Sequence, residues 1–291
     1  MKQRLLIINA DDFGISQSTN EAIRELFLTE KITSAGILAP APYAEDACRL
    51  ARELSLSVGV HWTLHSDWPG EYAWNSCALQ EKAFSLLQEG KLAWEKEKAA
   101  GAKSSDVTTE LEAQYRYLIS QGCAVDHADS HGGTLYGTNG RLFFLNAFRL
   151  CKKYDLPFRF AKKESFLARQ FIDHPSLALQ LAQKAITGCA SIYRVSLLDD
   201  FYSEPHTVAK IHDFSALKAY YEQQLCTLTG DIAEVFLHPS RPDDDLLQRT
   251  SGEWQKRIWE YEYLKSGDFL QAAKEQGFTV VSWRDAFKRF S

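Results

Sequence analysis

The stretch that decides the fold is RLLIINADDFGISQSTNEAI, residues 4–23. Residues 4–9 (RLLIIN) are β-rich and stop at ADDFGIS. Ser18 with Glu21 forms a capping box, and Ala22, Ile23, Leu26 and Phe27 follow at helical spacing. An apolar strand that ends in polar residues and leads into an amphipathic helix is the opening of a β-α unit. The pattern repeats along the chain. Residues 34–39 (SAGILA) predict a strand closed by Pro40 and Pro42, with a helix over 43–54. Residues 57–60 (SVGV) predict a third strand ending at His61, and 124–129 a fourth running into Ser130 and His131. Further on, the spacing predicts a helix over 138–153, a strand over 157–160, a helix over 176–187, a strand over 191–197 and a helix over 214–228. Residues 232–237 (IAEVFL) predict a strand that ends at His238 and Pro239. Thr250 with Glu253 opens a long helix, and 278–282 and 283–290 supply a last strand and helix.

About seven β-α units predict a parallel sheet with helices outside, open or closed into a barrel. The interval from His61 to Val125 is too long for one crossover, so an insertion follows the third strand. Its charged part, 91–103, reads as a solvated helix and loop. With no repeat, low-complexity tract or linker, residues 1–291 read as one domain, a size that α/β barrels of ~250 residues approach.

Of the 291 residues, 45% are hydrophobic and 24% charged, which excludes disorder and fibres. The net charge of −5 leaves no basic field for nucleic acid or an anionic membrane. Cysteines 48, 77, 123, 151, 189 and 226 form no C-x-x-C, which fits a reducing compartment. The run 5–8 (LLII) is shorter than the ~7–15 apolar residues of an export signal. No segment approaches the ~20 that span a bilayer. The expectation is a cytoplasmic protein without membrane or nucleic-acid partners, its state of self-association left open.

Polar clusters sit at matching places: Asp11 and Asp12 after the first strand, His61 at the end of the third, His131 beyond the fourth, His238 after 232–237. Parallel strands all point one way, so these clusters share the carboxyl rim, where such folds place active sites. One carboxylate with two imidazoles makes a three-ligand site for a divalent ion with a position left for water, and imidazole favours zinc. The plainer reading of each residue alone is a turn aspartate or a hydrogen-bonded histidine. The letters DFG lack a Gly-rich loop or H-R-D partner, so a kinase is excluded, and no P-loop, G-x-G-x-x-G or G-x-S-x-G is present.

More specific signals lie in IINADDFGISQSTNEAI, GVHWTL (59–64), HADSHGGTLYG (127–137), Pro157-Phe158-Arg159, FLHPS (236–240) and the helix bearing Arg257, Glu260 and Glu262. In this order, over nearly the whole chain, they resemble the YdjC/ChbG-like carbohydrate deacetylase family. The resemblance implies a deformed (β/α) barrel that removes acetyl groups from N-acetylated sugars with a bound divalent metal; the ligand chemistry prefers zinc, with magnesium as the alternative. It implies Asp12, His61 and His131 as metal ligands, Asp11 as general base and His238 as general acid. Arg159 would orient Asp11 by a bidentate contact, with a surface ion pair as the alternative. The chain departs from oligosaccharide-deacetylase members in having DSHGG where they have D-x-H-x-H, and in Trp62 and His65. Those departures bear on which acetylated amino sugar is the substrate.

Other residues stay in play. His65 or His127 could replace a named ligand. On an extended strand His127 and Asp129 share a face with His131, as groups supporting the ligands. Trp62, Trp68, Tyr72, Trp74 and Trp94 would line a saccharide cleft or pack the insertion's own core. His174, His206 and His212 read as surface residues, and Asp243 to Asp245 as solvated loop. The rival functions are a metal-dependent hydrolase of another bond, such as a phosphoester, and a non-catalytic sugar-binding protein.

Overall fold

The structure is a computed structural model and describes residues 3–78, 83–170, 175–250 and 252–288. His174 lies outside the described residues. Eight strands follow one another around a parallel sheet: Leu197–Leu198, Phe158–Ala161, Val125–Ser130, Val58–Trp62, Ser34–Ile37, Arg4–Phe13, Ile232–Leu237 and Asp200–Tyr202. The first and last of these are consecutive in the chain. Leu197 pairs with Phe158 on one side, while Asp200 to Tyr202 pair with Ala233 to Val235 on the other. One segment therefore joins both ends of the ladder, and the sheet closes into a barrel with helices outside, as expected.

The barrel is deformed at the amino-terminal end of its first strand. On one side that strand pairs with Ile232 to Leu237 along its length. On the other, Arg4 to Leu6 pair with Phe278 to Val280, and only from Asn9 does Ser34–Ile37 take over. The last strand is thus wedged between the first two. It delivers Trp283, fully buried, whose indole N–H reaches Glu234 Oε1 at 3.1 Å and whose backbone N–H reaches Ser34 Oγ at 2.9 Å. The indole stacks on His127 with centroids 4.7 Å apart and planes 8° apart. This side chain forms the floor of the barrel.

The interior above the floor is polar, and glycines make room for it. A Cβ on Gly59 would sit 2.4 Å from the His127 ring, and one on Gly36 would sit 3.2 Å from His61 Cβ. The apolar core lies between sheet and helices: Leu6, Ile8 and Val60 on strands meet Ile23, Leu26 and Cys48 on the helices Gln17–Leu28 and Ala44–Glu53.

The local expectations need several corrections. Ser16, not Ser18, caps the first helix, its hydroxyl accepting from the Thr19 N–H. The helix expected over 176–187 runs Leu177–Tyr193, so 191–197 is mostly not a strand. Arg194 ends that helix at φ 60°, a left-handed cap usually signalled by glycine. The long helix starts at Trp254 behind Glu253, while Thr250 closes the preceding short helix. Asp244 is buried, not solvated: it accepts from Ser240 Oγ at 2.6 Å and the Leu247 N–H at 3.0 Å. The insertion is real and carries the helix Ser104–Ser120. Within 91–103, though, Leu92, Ala93, Ala99 and Ala102 are buried.

The floor is testable. Gly59→Ala should destabilise the fold by ~1–3 kcal/mol in thermal or urea unfolding, because His127 is held against Trp283 and has no room to retreat. Adding His127→Ala should recover part of the loss.

Candidate metal centre

Asp11 and Asp12 are adjacent on a strand, where side chains ordinarily alternate between faces. The chain defeats this with a register shift between Ala10 and Phe13 and with Asp12 at φ 64°. Aspartate tolerates that left-handed geometry better than most residues. The turn that follows is fixed by Asn20 Oδ1, which accepts the Gly14 N–H at 2.8 Å. Gly14 itself is at φ 105°, and a Cβ there would meet Ala44 Cα at 3.0 Å. Both aspartates consequently reach the same rim.

Asp12, His61 and His131 come together there. Asp12 Oδ1 lies 3.3 Å from His61 Nε2 and 3.1 Å from His131 Nδ1, and the two nitrogens are 3.4 Å apart. All three side chains are buried. Ligand atoms 2.0–2.1 Å from a tetrahedral zinc stand roughly 3.3–3.4 Å apart, and cis ligands of an octahedral magnesium roughly 2.9 Å apart. The triangle fits a small divalent cation and lies nearer the tetrahedral spacing.

The surroundings orient each ligand. Asp129 Oδ1 lies 2.6 Å from His61 Nδ1, which leaves Nε2 for the cation. Asp67 Oδ1 lies 2.8 Å from His131 Nε2, and Arg257 Nη2 donates to Asp12 Oδ2 at 2.5 Å. Arg159, buried, binds Asp11 through both oxygens at 2.7 and 2.8 Å. It also donates to both oxygens of Glu234 at 2.9 Å and pairs with Asp129 Oδ2 at 2.8 Å. Asn9 Nδ2 gives Asp11 a further bond at 2.8 Å. The expected bidentate contact is present, and the surface ion pair is not.

Asp11 Oδ2 is 3.8 Å from His61 Nε2 and stands beside the triangle without being one of its corners. Asp11, His61 and His238 border one cavity of about 460 Å³. The His238 backbone N–H donates to Glu260 Oε2 at 2.6 Å, and its Nδ1 lies 3.8 Å from that oxygen. Glu260 is buried and also accepts from Tyr221 at 2.7 Å.

Among the described residues, Asp11, Asp12, Asp67, Asp129 and Glu234 face two guanidinium groups, Arg159 and Arg257. Protons respond to that excess. Burial pulls the His61 imidazole down, but Asp129 and Asp11 overcome it and hold it well above its ordinary value. His131 is likewise lowered by burial yet raised by Asp67 and Asp12 to about 9. Burial raises the Asp12 carboxyl, but Arg257 and His131 hold it well below the usual range. Asp129, raised by burial, is brought to about 2 chiefly by Arg159 and His61. Glu234, with burial dominant, is raised.

Other candidates fall elsewhere. His127 shares the inner face with Asp129, as expected, but one layer lower, on the floor, and does not reach the triangle. His65 lies beyond His131, its ring stacked at 5.3 Å and its Nε2 3.5 Å from Asp67 Oδ1. Trp62, Trp68 and Trp74 are buried in the main core, Trp62 donating to the Leu111 carbonyl, and none borders the cavity. His212 is exposed, while half-buried His206 pairs with Glu204. The sequence reading assigned no part to Asp67, Glu234 or Glu260. Only the R-x-x-E pattern at Arg257 and Glu260 signalled two of the supporting groups.

Barrel and triangle together define a parallel α/β protein equipped to hold a divalent cation at its carboxyl rim. The chain belongs to the YdjC-like protein family, whose model matches residues 5–275. It is 28% identical over 289 residues to a carbohydrate deacetylase of Enterococcus faecalis, covering 97% of this chain and 98% of that one. It is 29% identical over 288 residues to a chitooligosaccharide deacetylase of Proteus mirabilis, again covering 97% and 98%. The crystal structure of a putative cellobiose-phosphate cleavage protein from Enterococcus faecalis superposes with a TM-score of 0.77 at 26% identity, over 98% of this chain and 99% of that one. Among the described residues, no helix is long and apolar enough to cross a membrane, and all six cysteines are free.

A cation must displace the imidazole protons. Without metal, the raised histidines stabilise the fold fully below pH ~6.5, and that contribution is lost as pH rises through about 9 for His131. Metal binding at pH 7 should release protons from His61 and His131, read by calorimetry in buffers of different ionisation heat. Affinity should weaken as pH falls. A binding heat independent of buffer would contradict this assignment.

Proposed function

We propose that this chain is a metal-dependent carbohydrate deacetylase that hydrolyses the acetamide of an N-acetylated amino sugar. The observation that carries the reading is the Asp12–His61–His131 triangle with Asp11 beside it, not consumed as a corner, in a cavity that His238, following the neighbouring strand, also borders. The deacetylase names of the two relatives supply the substrate class. Asp12, His61 and His131 would hold the ion, and the spacing of their ligand atoms favours zinc over magnesium. When bound, the cation polarises the amide carbonyl and lowers the pKa of water.

The residues divide the proton work. Asp11 Oδ2 accepts a proton from the attacking water as the new C–O bond forms. Arg159 and Asn9 hold that carboxylate in one orientation. His238 donates a proton to the nitrogen as the C–N bond breaks, so the amide plus water yield acetate and the sugar amine. Glu260, anchored by Tyr221, fixes His238 through its backbone and faces its imidazole. Burial raises Glu260, but His238 and Lys256 bring it to about 2, so it stays anionic across the working range. Such positioned acid–base groups contribute roughly 10²–10⁴-fold. Residues 1–291 act as one domain, in the cytoplasm.

Acetate release from defined N-acetyl saccharides, with and without chelator, is the direct measurement. His131→Ala should lose bound metal. Asp11→Asn should keep metal and lose roughly 10²-fold or more in kcat. Full turnover by Asp11→Asn would remove the base assignment, and chelator-insensitive acetate release would remove the metal's role.

A further inference from the structure

The cavity bordered by Asp11, His61 and His238 is also walled by Phe160, Phe166, Leu179, Ile186, Phe201 and Phe236, the last adjoining His238 with ring centroids 5.8 Å apart. These side chains come from separate places. Phe160 and Phe236 lie on barrel strands, and Phe201 lies on the segment that closes the ladder. Leu179 and Ile186 lie on the helix Leu177–Tyr193. Phe166 links two neighbours, with ring centroids 5.3 Å from Phe160 and 5.1 Å from Phe201. Gln183 also borders the chamber, but its amide already donates to the Ala161 and Lys162 carbonyls at 3.2 and 2.9 Å.

A sugar ring presents hydroxyls all round its edge, and each one buried without a partner costs free energy. The lining hydroxyls of Ser130, Tyr136 and Thr138 are already engaged, with the Leu135 N–H, the Arg159 carbonyl and the Gly132 carbonyl, so beyond the site residues the walls offer a sugar hydroxyl few partners. The whole cavity, site residues included, is about 460 Å³, a size that holds a small molecule, and an acetyl methyl would leave most of these apolar walls uncovered. Resting on the deacetylase reading above, we infer that the substrate carries an apolar substituent, an alkyl or acyl chain, that enters this chamber while the amide lies against Asp11 and His238. The physiological substrate is then an amphiphilic amino sugar and not a plain oligosaccharide.

Amine release would be compared for the methyl and hexyl glycosides of N-acetylglucosamine, for N-hexanoylglucosamine and for N,N′-diacetylchitobiose. The two six-carbon probes separate a chain on the sugar from a chain on the nitrogen. A methylene fully removed from water is worth about a factor of 3–4. At least one six-carbon probe should exceed both the methyl glycoside and the disaccharide by tenfold or more in kcat/KM. Ile186→Asp should shrink the hexyl-to-methyl ratio towards one, a change that general loss of fold does not produce. Neither six-carbon probe exceeding the methyl glycoside, or preference for the disaccharide over both, would overturn the inference. If no probe is turned over, the deacetylase reading fails. Calorimetric binding of hexyl against methyl glycoside then decides the chamber separately: tighter hexyl binding that Ile186→Asp abolishes sustains it, and equal binding ends it.

Discussion

A single buried guanidinium organises this molecule. Arg159 sits inside the barrel and is shared by Asp11, Asp129 and Glu234, which belong to three different strands. Taking so many charges out of water is costly, and the arrangement is held by four guanidinium hydrogen bonds to Asp11 and Glu234 and an ion pair with Asp129. Removing the guanidinium would leave three carboxylates facing one another in a low dielectric. The same contacts that stabilise the interior therefore set the orientation of Asp11 and, through Asp129, that of His61.

The ion site and the proton chemistry arise from this arrangement together. Negative charge in excess of Arg159 and Arg257 has to be balanced, and it can be balanced by two imidazole protons or by one doubly charged ion. The triangle is a place where those two solutions compete for the same nitrogen atoms. Arg257 keeps Asp12 ionised, Asp67 and Asp129 fix the two rings, and the cavity beside them admits a ligand. His238 follows the strand that pairs with that of Asp11, so it stands on the same rim and borders the same cavity, with Glu260 bound to its backbone N–H.

Much of this is legible in the sequence, for a physical reason. Strands of a parallel barrel deliver their carboxyl ends to one rim, so Asp11, Asp12, His61, His131 and His238 could be gathered from strand ends alone. The left-handed backbone at Asp12 was not legible, because nothing in the letters says which of two adjacent aspartates turns. Arg257 lay within a recognisable helix pattern, yet its destination depends on how that helix folds back over the rim. Asp67 follows His65 in a loop whose path no periodicity describes. For the aromatic cluster in and near the insertion the letters left two readings open, a saccharide cleft or a packed core. Trp62, Trp68 and Trp74 are close in sequence and are spent on the core, whereas the phenylalanines of the chamber are scattered along the chain and adjacent only in space. The strand expected over 191–197 failed because Arg194, not glycine, ends the preceding helix.

The wedged last strand has a consequence for how the chain is made. Residues 278–280 hydrogen-bond to residues 4–6, the longest sequence separation in the sheet, and Trp283 follows at once. Contacts so distant form late, because loop closure must precede any gain from them. During synthesis at ~5–20 residues per second, the charged interior stays open from below until this final segment emerges from the ribosome. A nascent chain can hold every ligand of its future ion and still lack the indole that shuts water out beneath them.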